Sequence, residues 1–289
     1  MFHLIALHVE SPANGIWATW TADPIALFIV PIVFVLYLRG IRKSKGSKLN
    51  RHPRWRRVSF YLGLFSLFIA LVSPLDYLSG EYFFAHMIQH FILVNIAAPL
   101  ILLGAPMIPV LRGVPVGFRR RLLIPILKQR TLRLSLKFFS NPFIAWPLYV
   151  GTLLFWHFPF AYGAALSNET LHLVQHAMFF MTAVAWWWNI IDPVPIKPNL
   201  KDLERIPYIF LTTVPIFVLG AFITFANNPS YEYYALLQGH TLSAIEDQQI
   251  GGIIMWIPGS LLLMSTLLVV LVRVVKVEEE KQIEIEQVQ

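Results

Sequence analysis

Apolar runs of about twenty residues recur along this 289-residue chain, with polar and charged residues gathered between them. A helix rises about 1.5 Å per residue, so about twenty apolar residues cross the ~30 Å hydrocarbon layer of a bilayer. The runs at 22–38, 58–76, 84–104, 141–158, 171–190, 207–226 and 248–272 predict seven transmembrane helices. Turn signals separate them. Ser73-Pro74-Leu75-Asp76 closes the second run, Asn141-Pro142 opens the fourth, Asp192-Pro193 follows the fifth and Asn227-Asn228-Pro229 follows the sixth. The expectation is an all-α polytopic membrane protein, a single seven-helix transmembrane domain over 1–289.

Composition agrees. The chain is 56% hydrophobic and 13% charged, with a mean hydropathy of +0.61. Soluble domains carry about 25% charged residues, so soluble enzyme folds are excluded. The net charge of +7 would elsewhere suggest nucleic acid, but its placement points to a membrane. All 23 Lys and Arg residues lie in 39–57, 107–140, 191–206 and 273–289; segments 1–21, 77–83, 159–170 and 227–247 hold none. The positive-inside rule then sets the N-terminus outside and the C-terminus in the cytoplasm, with lipids rather than nucleic acid as partners. The first 23 residues lack the basic region of a cleavable signal peptide. Segment 107–140 mixes basic and apolar residues and reads as helix lying in the cytoplasmic interface on anionic lipid. Trp17, Trp20 and Trp156 at outer ends, and Trp186-Trp187-Trp188 at an inner end, read as aromatic belts.

This topology sorts the histidines. Only His52 falls on the basic side; His3, His8 and His240 belong to outer segments and read as surface residues. The other five lie within two turns of an outer helix end. His86-Met87-Ile88-Gln89-His90 and His172-Leu173-Val174-Gln175-His176 repeat one pattern, and His157 closes the fourth run. Residues four apart share a helix face, so each pair can present two imidazoles to one cation. Two pairs on the same side of the membrane could supply four nitrogens, with His157 a fifth. Imidazole suits copper, zinc, iron and nickel. Asp76, Glu81, Glu169, Glu232, Glu246 and Asp247 add negative charge to an outer face without cations, which should attract metal ions.

Neighbouring residues have ordinary and functional roles open to them. Gln89 and Gln175 could hold imidazole tautomers from a second shell. Met87 could be a soft ligand, although an apolar contact is its usual role. Asp247-Gln248-Gln249-Ile250-Gly251-Gly252 reads both as a helix start and as polar groups approaching the histidines, its glycines allowing close helix contact. Asn95 reads as an interhelical hydrogen-bond donor. With no cysteine, disulfides, thiolate metal sites, iron–sulfur clusters and covalent c-type haem are excluded. A zinc peptidase would need Glu where Met87 and Leu173 stand. Bis-histidine haem ligation, in electron transfer or haem maturation, stays open as the alternative.

The ordered set is His86-x-x-Gln89-His90 running into Ala98-Pro99-Leu100, then Trp156-His157-Phe158-Pro159, then His172-x-x-Gln175-His176 running into the three tryptophans, then Asp247-Gln248-Gln249-Ile250-Gly251-Gly252. It resembles the CtaG family of bacterial assembly factors for caa-type cytochrome c oxidase, from about residue 20 to 275. The resemblance implies a multi-pass protein of the bacterial plasma membrane, not an enzyme, that matures the oxidase through its copper centres. It carries His86, His90, His157, His172, His176 and Asp247 as metal-site residues, with copper as cargo. Oxidase subunits are the implied partners, and a homo-oligomer is compatible with it. The family often has an acidic residue where this chain has Gln175.

Overall fold

The computed structural model describes residues 19–20, 23–44, 52–191, 199–237 and 242–288, and among these every regular element is helical. His3, His8, Trp17, Asp192-Pro193 and His240 lie outside the described residues. The Asp23 carboxylate accepts the Ala26 N–H at 2.7 Å and opens α1 (Pro24–Lys43). α2 (Arg54–Val72) ends at Ser73, whose hydroxyl caps α3 (Pro74–Glu81). Extended Tyr82 separates α3 from a rod over Phe83–Leu103, built of α4 (Phe83–Phe91), a π-helical segment (Ile92–Ala97) and α5 (Ala98–Leu103). Then come α6 (Met107–Gly113), α7 (Val116–Phe118), a second π segment (Arg119–Leu123), α8 (Ile124–Lys128) and α9 (Arg130–Phe139). Asn141 caps α10 (Pro142–Trp156), α11 (Pro159–Leu166) follows, and Asn168 caps α12 (Glu169–Trp188). α13 (Asp202–Thr224), α14 (Glu232–Ala235) and α15 (Ala244–Val288) complete the chain.

Among the described residues, four helices are long and apolar enough to cross a membrane: α2, the rod, α13 and α15. The α9–α10 pair, bent by 66°, makes a fifth if counted as one span. α12 carries His172, Gln175 and His176, which lower its hydropathy, and α1 is apolar over 26–38 before Arg39, Arg42 and Lys43. α15 is 45 residues long, about 67 Å of helix, and runs well past the apolar stretch 248–272. The outer surface is apolar, and several polar side chains are buried within an otherwise apolar core. Phe143, Met181, Phe222 and Leu268 are exposed, while His86, Gln89, Gln175, Asn189 and Thr212 are fully buried. That is the distribution a lipid solvent demands.

Proline sets the shape of the rod. In a π turn the Val94 carbonyl would accept from residue 99, as the Leu93 carbonyl accepts from Ala98. Pro99 has no N–H, so that carbonyl loses its helical donor. The Trp187 indole supplies one instead, Nε1–H to the Val94 oxygen at 3.0 Å. Trp186 likewise donates to the Thr212 hydroxyl at 3.0 Å. Both indoles, and Trp156, are buried in the core rather than forming belts, because each ring packs between helices.

Segment 107–140 divides in two. α6 packs on α1, with Gly113 against the Leu36 carbonyl, whereas residues 116–139 contain no buried position. α9 carries Arg130, Arg133 and Lys137 beside exposed Leu134, Leu136 and Phe138. The glycines of α15 permit the close contact expected of them: Gly251 meets the Phe83 ring and Gly252 meets Thr224. α2 and the rod run antiparallel, Gly104 lying on Phe60 near the basic start of α2 and Gln89 reaching Ala70 near its end. The bundle thus has a basic end and a histidine end.

Candidate metal centre

At the histidine end, α4, α12 and the α10 C-terminus converge. α4 presents His86 and His90 on one face, α12 presents His172 and His176, and His157 terminates α10. Ring centroids are 5.2 Å apart for His86–His172, 6.1 Å for His86–His176, 5.4 Å for His90–His176 and 6.4 Å for His90–His157. One nitrogen each from His86, His172 and His176 lies within 4.8 Å of the other two. The Nε2 atoms of His86 and His90 are 2.8 Å apart. Bonds of about 2.0 Å at right angles to one ion put two nitrogens at about that separation. All five imidazoles are buried or nearly so.

Hydrogen bonds assign the tautomers. The Tyr234 hydroxyl donates to the Ser79 carbonyl at 2.6 Å, so it faces His86 as an acceptor. The His86 Nδ1–H donates to it at 3.2 Å, leaving a lone pair on His86 Nε2. His157 Nδ1–H donates to the Leu153 carbonyl at 2.7 Å, leaving a lone pair on its Nε2. That Nε2, together with Nε2 of His172, Nε2 of His176 and Nδ1 of His90, is buried without a hydrogen-bond partner. A buried polar atom without a partner is costly and invites a ligand. Neutral imidazole nitrogens in this number fit copper well.

The sequence-derived second shell falls elsewhere. Gln89 donates to the Ala70 carbonyl at 2.8 Å and to Asp76 at 2.6 Å, tying α4 to α2 and α3 rather than to an imidazole. Gln175 is fully buried and neither end of its amide has a partner. Asp247 lies outside the nitrogen cluster. Its two carboxylate oxygens accept the N–H groups of Phe83 at 2.8 Å and Phe84 at 2.9 Å, capping α4 from α15. Gln248 bonds Ser230 N–H and the Ile223 carbonyl, and Gln249 the Ala226 carbonyl. Asp247-Gln248-Gln249 is therefore a clasp that holds three backbone segments around the site. Asn95 borders a cavity below His90.

Residues that sequence reasoning missed complete the surroundings. Tyr234 is linked to Tyr162 through their hydroxyls at 3.3 Å, and Tyr231 donates to the His157 carbonyl at 3.1 Å. Burial holds the Tyr234 phenol well above its ordinary range, so it remains protonated. The spacing Tyr231-x-x-Tyr234 in the last outer segment was the available signal.

An uncharacterized protein of Mycobacterium leprae (strain TN) is 24% identical over 263 residues, 87% of this chain but 39% of that protein. The chain thus spans well under half the length of that relative. No solved structure matches. The family description "Cytochrome c oxidase caa3 assembly factor (Caa3_CtaG)" matches residues 35–277. The chain belongs to the cytochrome c oxidase caa3 assembly factor family.

Proposed function

We propose that this protein holds copper at its histidine end and passes it to a copper centre of the oxidase it helps assemble, without itself being an enzyme. One observation carries the reading: His86, His90, His172 and His176, with His157 beside them, converge from three helices with several unpartnered nitrogens. In this reading 1–289 forms one seven-span domain of the bacterial plasma membrane. The histidine end faces outward, and residues 116–139 lie on the inner leaflet. The charge distribution supports that orientation. Oxidase copper centres are themselves rich in histidine, so transfer between alike ligand sets would be nearly balanced in free energy.

Imidazole suits both copper and zinc, and a nitrogen site of this kind binds Cu2+ more tightly than Zn2+ in the Irving–Williams order. Haem fits less well. The imidazoles lie too close together to admit a macrocycle, and the adjoining cavity is only about 40 Å³, far below the several hundred Å³ of a cofactor pocket. Metal analysis after copper loading tests the reading. Wild type should retain copper that His86→Ala with His172→Ala does not; equal retention would reject the assigned ligands. Reporter fusions at 45–50 and 238–241 test the orientation.

A further inference from the structure

We propose a second cation position, one helical turn deeper in the bundle, where His90 and His157 hold a soft monovalent ion together with the thioethers of Met87 and Met255. It rests on reading the outer histidines as a copper-handling set. A cavity of about 40 Å³ lies between α4, the π segment, α10, α12, α13 and α15, lined by Met87, His90, Asn95, His157, Phe179 and Met255 among others. A site needs only about 10–15 Å³ for a water-sized occupant, so an ion fits with room for rearrangement.

The two imidazoles on this cavity each have a buried nitrogen without a partner, Nδ1 of His90 and Nε2 of His157. In His157 the other nitrogen is engaged by the Leu153 carbonyl, so Nε2 is the one available. His90 borders both positions but has one lone pair to give, so at full loading it serves the inner ion while His86, His172 and His176 hold the outer one. Its Nε2 meets His86 in the outer cluster, while its Nδ1 is available on the other side of the ring. With its Nε2–H on His86 and its Nδ1 lone pair on the cavity, His90 separates the two positions by the width of one ring, a short path for an ion.

The lining decides the class of ion. It contains no charged side chain. The cost of burying an ion rises with the square of its charge, so neutral donors in an apolar wall favour a monocation over a dication. Thioethers prefer soft cations. Together these select cuprous copper, or silver as its redox-inert analogue, over zinc or cupric copper.

Titration of the purified full chain with silver(I), and with copper(I) under a reductant against a chromophoric chelator, tests the inner position. Wild type should bind two equivalents, and X-ray absorption should show sulfur among the copper scatterers. Met87→Leu with Met255→Leu, which conserves volume and the fold, should lose the sulfur signal and weaken one equivalent by about tenfold or more while keeping the other. A single nitrogen-only equivalent in wild type, or both equivalents kept unchanged in the double variant, overturns the inner site. His86→Ala with His172→Ala reads the outer cluster separately. If it keeps every equivalent that the methionine variant weakens, the outer assignment fails and the inner one stands.

Discussion

The carboxylate of Asp247 accepts the backbone N–H of Phe83 at 2.8 Å, joining the first turn of α15 to the first residue of the helix that carries His86 and His90. Phe84 donates to the other oxygen at 2.9 Å, and the helix N-cap residue, Tyr82, offers no side-chain cap of its own. A distant carboxylate thus does what an N-cap side chain usually does, and helix α4 depends on α15 for its starting position.

Asp247→Ala should therefore cost about 1–2 kcal/mol of stability, the usual value of a lost cap. Copper retention should fall because α4 is no longer held in place. Asp247→Asn keeps one acceptor and should be milder in both. Thermal unfolding in detergent together with metal content checks this; an alanine variant of wild-type stability and full copper content would refute the positioning role.

Tyr234→Phe removes the acceptor that fixes the His86 tautomer while leaving the ring in its aromatic cluster with Phe83 and Tyr162. Copper affinity should drop about 10–100-fold, the scale of a lost outer-shell partner. Stability should change less than in Asp247→Ala. Chelator competition measures the first quantity and thermal unfolding the second.

Trp187→Phe leaves the Val94 carbonyl without any donor, since Pro99 cannot replace the indole. Leaving a buried acceptor unsatisfied costs about 1–3 kcal/mol. Restoring a helical donor with Pro99→Ala in the same chain should recover part of the loss. Hydrogen exchange at 92–98 would report the local opening.

His52 sits at the basic end, where its Nε2–H donates to the Gly104 carbonyl at 3.0 Å beside the Tyr37 hydroxyl. Burial lowers its pKa; the bond to Gly104 opposes this, and Arg56, Arg57 and Arg112 add to the lowering. With the folded value below the unfolded value of about 6.5, both states are neutral above that pH and the pair is undisturbed. As pH falls through 6.5, the unfolded chain takes up the proton first and the junction between α1, α2 and Gly104 loses stability. His52→Gln should flatten this part of the pH dependence, read as the difference in unfolding midpoint between variant and wild type from pH 7 to 5.

Much of the site was legible because helical spacing is a local rule. Residues four apart share a face wherever the helix goes, so the two histidine pairs could be named from spacing alone. The partners of Gln89, Asp247 and Trp187 could not. Each side chain reaches a backbone group on another helix, and nothing local distinguishes a glutamine that meets an imidazole from one that meets the Ala70 carbonyl. The tryptophans misled for a related reason: an indole near a helix end suits a headgroup layer and an interhelical hydrogen bond equally.

By itself, the sequence determined that the chain is helical and lipid-compatible, that its positive charge lies in alternate segments, and that its imidazoles are paired. Those properties follow from hydropathy, charge and the 3.6-residue period, all readable one segment at a time. Only the tertiary structure decided that α4, α10 and α12 bring those imidazoles together, that Tyr234 sets the tautomer of His86, and that Asp247 holds a helix end. These are relationships between segments up to 164 positions apart, and they depend on how the helices pack around a proline-driven π turn.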